Sequence, residues 1–162
     1  MLKLQTMTED EYIVYKAWIV EDYAGEISRN LRISMEEARA SAIDQIDGAL
    51  SQGLSTPNQF LYHIVLTTGD QESRLGHLWI DVDSQKERCF IYDIYLNEEF
   101  RHQGWGRKTL ELLEINMKQQ GILRINLHVF ANNTTAQKLY SKMGYEFTGM
   151  QMQKWLVDKD NG

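Results

Sequence analysis

The sequence comprises 162 residues, of which 43% are hydrophobic and 25% charged, and its formal net charge is −6 at pH 7. A chain of this length can bury one continuous core, and four Trp and eight Tyr argue against intrinsic disorder. The acidic balance disfavours nucleic acid as a partner, because no basic footprint would meet the phosphates. No run of about 18 apolar residues occurs, which argues against a membrane partner.

The cysteine content and the first residues of the sequence indicate a cellular location. Cys89 is the only cysteine, so no disulfide can form within the chain, which fits a reducing compartment. Residues 1–6 are not followed by the long apolar run of a signal peptide. The sequence therefore predicts a cytoplasmic protein.

The N-terminal third predicts one strand and two helices. Apolar and polar residues alternate over 2–6, as in a strand. Thr8 with Glu11, and Ser34 with Glu37, resemble capping boxes that open the two helices. The first helix carries an aromatic face, interpreted as core packing with a substrate pocket as the alternative; its members are Tyr12, Tyr15, Trp18, Ile19 and Tyr23.

The middle of the chain predicts an antiparallel sheet. Residues 60–66, 75–80 and 89–96 are β-prone, and short connections join them. Residues 104–120 then carry the apolar pattern of a helix that stops before Gly121. Residues 123–130 alternate as a strand, so strand, helix and strand form a parallel crossover.

The C-terminal part predicts one more helix and the end of the sheet. A helix over 134–143 ends at Gly144, and residues 145–156 are expected to close the sheet as a strand or strand pair. One domain over 1–157 is expected, followed by a short polar tail, 158–162.

A glycine-containing turn lies between a hydrophobic strand and an amphipathic helix. It consists of Arg101, His102, Gln103, Gly104, Trp105 and Gly106. Its backbone N–H groups would meet a ligand at the positive end of the helix, which favours an anion, and Arg101 adds a charge. For a glycine pair alone, a tight connection is the alternative. Neither a P-loop nor a dinucleotide fingerprint is present.

The turn resembles the Arg/Gln-x-x-Gly-x-Gly/Ala motif of the GNAT superfamily of N-acetyltransferases. A second segment resembles that family's Asn-x-x-Ala-x-x-Leu-Tyr motif followed by Gly-Phe/Tyr, with Asn133, Ala136, Leu139, Tyr140, Gly144 and Tyr145. Both motifs lie within residues 89–147. The resemblance implies an α/β (α+β) fold: a single GNAT-like domain whose mixed, mostly antiparallel sheet of six to seven strands is flanked by about four helices and splayed between strands four and five.

The resemblance also implies acetyl-CoA as cosubstrate, and no metal. Residues 101–106 would hold the pyrophosphate, and the pantetheine arm would lie against the backbone of Ile94, Tyr95 and Leu96, between the splayed strands. Asn133 stands where the family directs an asparagine at the cofactor; capping of the next helix is the alternative. His102 departs from the glycine that many members carry after the arginine.

Two residues are catalytic candidates by this resemblance. Tyr140 would be the general acid for the departing thiolate, since a phenol with a reference pKa of about 10 is protonated at neutral pH. Core packing is its alternative. Asp93 stands where some members carry a glutamate general base, and being shorter it would act through a water. A solvent-facing strand residue is the alternative. Reserve candidates, each interpreted first as a packing or surface residue, are Tyr92, His63, His77 and His128.

The expected function is transfer of the acetyl group of acetyl-CoA to a primary amine, directly in a ternary complex. The acceptor would be a small molecule or a peptide or protein amine. Glu21, Asp22 and Glu26, with the aromatic face of the first helix, are candidates for a pocket that selects cationic amines. An acyl-CoA-binding module without turnover is the alternative function, and a partner-binding domain without cofactor is the third. The family resemblance also suggests a homodimer.

Overall fold

Five strands and four α-helices follow one another along residues 1–158, the part of the chain that this computed structural model describes. The strands are β1 Leu2–Thr6, β2 Gln59–Thr68, β3 Gln71–Asp83, β4 Arg88–Leu96 and β5 Arg124–Leu127. The helices are α1 Glu9–Leu31, α2 Met35–Ala49, α3 Trp105–Gln119 and α4 Thr134–Lys142.

The strands form one mixed sheet in the order β1-β2-β3-β4-β5. The first four are antiparallel neighbours. For β2, β3 and β4, the short connections predict this pairing. β4 and β5 are parallel, and the crossover between them contains α3. The predicted fold class, a mixed and mostly antiparallel sheet flanked by helices, is confirmed.

Helices cover both faces of the sheet, because alternate residues of a strand point to opposite sides. On β3, Leu78 lies in a buried cluster with Leu113 of α3. Its neighbour Trp79 lies in a second cluster with Tyr15 of α1 and Ile46 of α2. The aromatic face of α1 therefore packs into the core on one side of the sheet.

Both predicted helix starts are confirmed. The Thr8 side chain accepts a hydrogen bond from the Glu11 N–H at 3.3 Å, and the Glu11 carboxylate accepts one from the Thr8 N–H at 3.0 Å. These two bonds form a complete capping box at the start of α1. At α2, the Ser34 hydroxyl accepts from the Glu37 N–H at 3.1 Å.

The end of the sheet differs from the prediction. Six to seven strands were expected, and residues 1–158 contain five, because 145–156 form no strand. Apolar side chains of that segment such as Met150 and Leu156 stay exposed, and β-propensity produces a strand only where a neighbouring strand and a packed face support it. Of the predicted polar tail, only Asp158 lies within the described residues.

β5 is also shorter than the predicted strand over 123–130. It ends at Leu127, and the chain then approaches α1, where the ring of Phe130 lies 6.1 Å from that of Tyr23. Asn132 and Asn30 exchange hydrogen bonds at 3.1 and 3.3 Å. These contacts pull the chain away from β4.

Candidate active site

β4 and β5 diverge after Ile91. Residues 88–91 of β4 pair with the four residues of β5, which ends at Leu127, while β4 continues to Leu96. The last part of β4 therefore borders a gap on its β5 side. This gap lies where the sequence predicted the splay between strands four and five.

The backbone of Ile94 and Leu96 is directed toward this gap. The Asn97 N–H donates to the Leu75 carbonyl at 2.8 Å, so these two residues form a hydrogen-bonded pair. Such pairs alternate along an antiparallel ladder, and by register Tyr95 makes the next one with β3. The N–H and C=O groups of Ile94 and Leu96 consequently point away from β3.

Arg101 binds the end of β4 rather than extending away from it. Its Nε donates to the Leu96 carbonyl at 2.8 Å, and its guanidinium lies 5.0 Å from the centre of the Tyr95 ring. Both contacts hold the turn against the strand end, the second through a cation–π interaction. Arg101 is nevertheless exposed beside the turn.

Asp93 forms the main polar contact beside the gap. Its carboxylate accepts a hydrogen bond from the Tyr15 hydroxyl of α1 at 2.8 Å. The pKa of Asp93 is raised to about 7, mainly by burial; the Tyr15 hydrogen bond acts to lower it, and the nearby charge of Asp22 acts to raise it. A carboxylate in this range can accept and release a proton near neutral pH.

An irregularity in the sheet determines where Asp93 points. The β3–β4 register shifts between Trp79 and Ile80, so that Trp79 lies opposite Asp93 and Ile80 opposite Ile91. Tyr92 is the extra residue of this bulge, and its ring stacks on Trp79 with centroids 4.4 Å apart. Asp93 thereby shares the face of Trp79, which α1 covers.

Tyr140 lies on α4, partly buried against the core on the α3 side of the sheet. Burial raises its pKa to about 12, and the charge of Asp93 contributes in the same direction. The two catalytic candidates are therefore near enough for the charge of Asp93 to act on the Tyr140 hydroxyl. Its ring also contacts that of Tyr145, with centroids 5.5 Å apart.

The glycine turn leads directly into α3. Gly104 has a φ of 85°, a left-handed conformation that suits glycine, and α3 begins at Trp105. His102, the departure from the family pattern, also has a positive φ, 60°. A glycine at that position would adopt the same backbone without strain, which explains the family preference. Gln103 bonds back to the Glu99 carbonyl at 2.8 Å.

Asn133 acts as the N-cap of α4. Its side-chain oxygen accepts a hydrogen bond from the Ala136 N–H at 3.2 Å. This is the alternative that the sequence left open, and contact with a cofactor stays a prediction.

The reserve candidates occupy different positions. His77 packs between the rings of Trp18 and Tyr95, with centroids 4.4 and 5.1 Å away, and burial lowers its pKa to about 4. His63 lies on β2, and its Nε2 is 3.1 Å from the Glu11 carboxylate. The ring of His128 meets that of Phe130 edge-on.

Sequence reasoning missed the role of Tyr15. It appeared only as one member of an aromatic helix face, whereas its hydroxyl crosses between layers to a residue 78 positions away. No local pattern distinguishes Tyr15 from Tyr12, since the bulge at Tyr92, in another strand, places Asp93 on the face that α1 covers.

Two findings concern metals and membranes. Among residues 1–158, no group of three or more His, Cys, Asp or Glu side chains is arranged to hold a metal ion. The helices in that range are too short or too polar to cross a membrane.

Comparison with known proteins agrees with this geometry. Residues 27–145 match the acetyltransferase (GNAT) family. The chain is 34% identical to the uncharacterized N-acetyltransferase YdgE of Bacillus subtilis (strain 168), covering 94% of this chain and 97% of that protein. The crystal structure of YycN from Bacillus subtilis, described as an acetyltransferase, covers 98% of this chain and 100% of its own, with a TM-score of 0.89 and 31% identity.

A partial match links the chain to an enzyme named for its acceptor. The present chain is 31% identical to the spermine/spermidine N(1)-acetyltransferase of Bacillus subtilis over 81 residues, which are 49% of this chain and 46% of that protein. With the family match spanning most of the chain and near full-length relatives, this protein belongs to the GNAT family and is an acetyl-CoA-dependent acyltransferase.

Proposed function

We propose that this enzyme transfers the acetyl group of acetyl-CoA directly to a primary amine in a ternary complex, with Asp93 as general base and Tyr140 as general acid. The observation that carries the proposal is the pair itself: a carboxylate with a pKa of about 7 and a phenol with a pKa of about 12, electrostatically coupled. A carboxylate with a pKa near 7 can accept a proton at neutral pH, and a phenol with a pKa of about 12 holds one that it can donate.

The gap and the turn fit acetyl-CoA, which when bound supplies an activated acetyl thioester. The backbone groups of Ile94 and the N–H of Leu96 would pair with the pantetheine amides, beside Tyr95, while the Leu96 carbonyl accepts from Arg101. The N–H groups of the turn would bind the pyrophosphate at the start of α3, with the Arg101 side chain alongside. Asn133 would contribute its amide while capping α4.

Electrostatic coupling between Asp93 and Tyr140 determines the order of the proposed proton transfers. Asp93 accepts the proton of the attacking amine, directly or through one water, as the C–N bond forms. Its charge is then neutralised, which removes one cause of the high pKa of Tyr140. Tyr140 becomes a stronger acid as the C–S bond breaks, gives its proton to the sulfur and regains one from Asp93. The net change is one proton moved from amine to thiol.

We further propose that the acceptor is cationic. The charge of Asp22 on α1 acts on Asp93, and the aromatic rings of Trp18 and Tyr95 pack against each other nearby, with centroids 4.6 Å apart. A carboxylate and half-buried aromatic rings attract ammonium groups, and the net charge of −6 favours their approach. The partial match to a polyamine acetyltransferase supports this class of acceptor.

Thiol release from acetyl-CoA, measured over a panel of amines, tests the function. We expect turnover with polyamines and other dications, weaker turnover with neutral amino-terminal peptides, and a loss of about tenfold or more for polyamines in Asp22→Asn. Glu36→Gln, on the exposed start of α2, is the matched control for removal of one charge. Preference for anionic acceptors would contradict the cationic pocket; binding of acetyl-CoA without thiol release for any amine would favour the module without turnover.

The expected cellular location of the enzyme is inferred from its single cysteine. Cys89 is buried, and its pKa is raised to about 12, so it is neither a disulfide partner nor a reactive group. We propose a cytoplasmic enzyme whose domain spans residues 1–157.

A further inference from the structure

The second half of α1 carries one side toward the end of β4. Trp18, Asp22, Gly25 and Arg29 follow one another at intervals of three or four residues, so they lie along one side of the helix. Trp18 begins this side against the Tyr95 ring, with centroids 4.6 Å apart. Arg29 ends it two helical turns beyond Asp22. These four residues of α1 form the acceptor face, a name that rests on the proposed function.

The Arg29 side chain folds back along the acceptor face. Its Nη2 donates to the Glu26 carboxylate at 2.8 Å. The three atoms nearest to a Cβ built on Gly25 all belong to the Arg29 guanidinium, the closest of them Nη1 at 3.1 Å. Glycine inside a helix is destabilising relative to alanine. The missing side chain at Gly25 leaves a place over the helix backbone, and the guanidinium fills it.

The charges around this place are those of a cation site. The pKa of Asp22 is raised, mainly by burial and then by the charge of Glu26, while the charges of Arg29 and Arg101 act to lower it. Glu26 also has a direct ion pair with Arg29. The Arg29 guanidinium therefore neutralises two carboxylates of α1 at once.

Glu26 lies on the side of α1 that faces the gap. The Asn30 side chain donates to the Glu26 carboxylate at 3.4 Å and to the Asn132 side chain at 3.1 Å. Asn132 belongs to the segment between β5 and α4, on the other side of the gap. Glu21 points elsewhere, because its carboxylate accepts from Arg39 of α2 at 2.7 and 3.2 Å. Of the acidic candidates, Asp22 and Glu26 are thus the two that can meet an acceptor.

An incoming cation can replace the Arg29 guanidinium. The side chains of Arg29 and Glu26 are 60% and 29% exposed, and an ion pair open to water contributes little to stability. The ammonium group of an acceptor makes the same kind of charge-assisted hydrogen bond to a carboxylate. An aliphatic chain could then lie over the bare backbone at Gly25.

We propose that Arg29 is a specificity-determining residue whose guanidinium occupies the place of the second cationic group of the acceptor. This inference rests on the proposed function and deepens it. The reacting amine would lie at Asp93, the chain would cross Gly25, and the second ammonium would bind Glu26 after displacing Arg29. Since only acceptors that reach Glu26 meet this competition, Arg29 sets the preference between dicationic and monocationic amines.

Kinetics with paired acceptors test this role. Unbranched terminal diamines, from putrescine to longer chains, are each compared with the alkylamine of the same length at saturating acetyl-CoA. In Arg29→Gln, the ratio of kcat/KM for the best diamine to that for its alkylamine should rise by about threefold to fivefold, mainly through a lower KM, because the competing cation is gone. In Glu26→Gln, the ratio should fall by about tenfold, because the second ammonium loses its carboxylate.

Two variants control for the loss of a charge. Arg39→Gln removes an arginine that also pairs with a glutamate of α1, and Glu36→Gln removes an exposed acidic group at the start of α2. Both should keep the ratio within about twofold of the wild type, because solvent and salt screen these distant charges. A ratio that Arg29→Gln leaves unchanged, or that Arg39→Gln alters as much, would overturn the proposal. So would alkylamines that serve as well as diamines in the wild type and in Glu26→Gln.

Calorimetry separates this inference from the proposed function. Titration of the best-binding diamine into enzyme saturated with coenzyme A requires no turnover. Arg29→Gln should bind the diamine about threefold to fivefold more tightly than the wild type, and Glu26→Gln about tenfold more weakly. If this order holds while no amine releases thiol, the catalytic function fails and the role of Arg29 stands. If thiol release is normal and Arg29→Gln binds the diamine no more tightly, the function stands and the role of Arg29 fails.

Discussion

Asp93 and Tyr140 owe their properties to the layers that surround them. Asp93 meets a hydroxyl from α1, and Tyr140 comes from α4 on the opposite side. Burial acts on both in the same direction, toward the neutral form, and raises the pKa of each. Burial therefore places the pKa of the Asp93 carboxyl near neutrality. It keeps the Tyr140 phenol protonated until Asp93 is neutralised.

Tyr140→Phe removes the proposed acid while retaining the ring. We expect kcat to fall by about 10²–10³-fold and the KM for acetyl-CoA to change by no more than about threefold, since the hydroxyl acts on the departing sulfur. Steady-state kinetics at saturating acceptor measure both values. Tyr145→Phe is the control, because its buried hydroxyl lacks a partner among the described residues. Unchanged kcat in Tyr140→Phe would remove Tyr140 from the mechanism.

Tyr15→Phe tests the positioning of the base. The Tyr15 hydroxyl stabilises the ionised form of Asp93, so its loss raises the pKa of Asp93. The rising limb of kcat/KM against pH should move to higher pH, with activity recovered in alkaline buffer. Tyr12→Phe, on the same helix face, should leave the limb in place. A general drop in activity at every pH, with the limb unmoved, would reduce Tyr15 to a packing residue.

At the scale of elements, the sheet depends on one close approach between strands. A Cβ at Gly76 of β3 would lie 1.8 Å from the Tyr95 carbonyl oxygen of β4. The strands therefore need glycine at this position to keep the end of β4 in place. The Ile94 and Leu96 groups that face the gap belong to the same strand end.

Gly76→Ala should lower the free energy of unfolding by about 3 kcal/mol, because backbone must move to admit the methyl group. Activity should fall with it, since the end of β4 shifts. Gly48→Ala in α2 is the control: its Cβ would meet nothing within 4 Å, and we expect a gain of about 0.5–1 kcal/mol with activity unchanged. Chemical denaturation measures both; equal stability of Gly76→Ala and wild type would refute the close approach.

Much of this arrangement was predictable from local patterns. The capping boxes of α1 and α2, the antiparallel strands and the parallel crossover follow from short-range signals, and the motifs around Gly104 and Tyr140 indicated the family. The prediction of closing strands at 145–156 was wrong for the described chain, because a strand forms only where it can pair with a strand edge and pack one face. Tyr15 escaped prediction because its partner depends on a bulge in another strand.

For the whole molecule, the site depends on the docking of both layers onto the sheet. The base, its tyrosine partner and the acid come from β4, α1 and α4, so the folded state as a whole sets the pKa of Asp93. The raised pKa of Asp93 means that the folded state holds a proton that the unfolded chain releases between about pH 4 and 7. The contribution of Asp93 to stability is therefore lost as pH rises through that window.

The pH profile of kcat/KM in wild type and Asp93→Asn tests the central claim most directly. With a polyamine acceptor whose own pKa lies well above 7, we predict a rising limb with an apparent pKa of about 7 in the wild type. In Asp93→Asn, kcat/KM should fall by about 10²-fold or more, and that rising limb should be absent. The same limb at near wild-type activity in Asp93→Asn would contradict the assignment of Asp93 as the base.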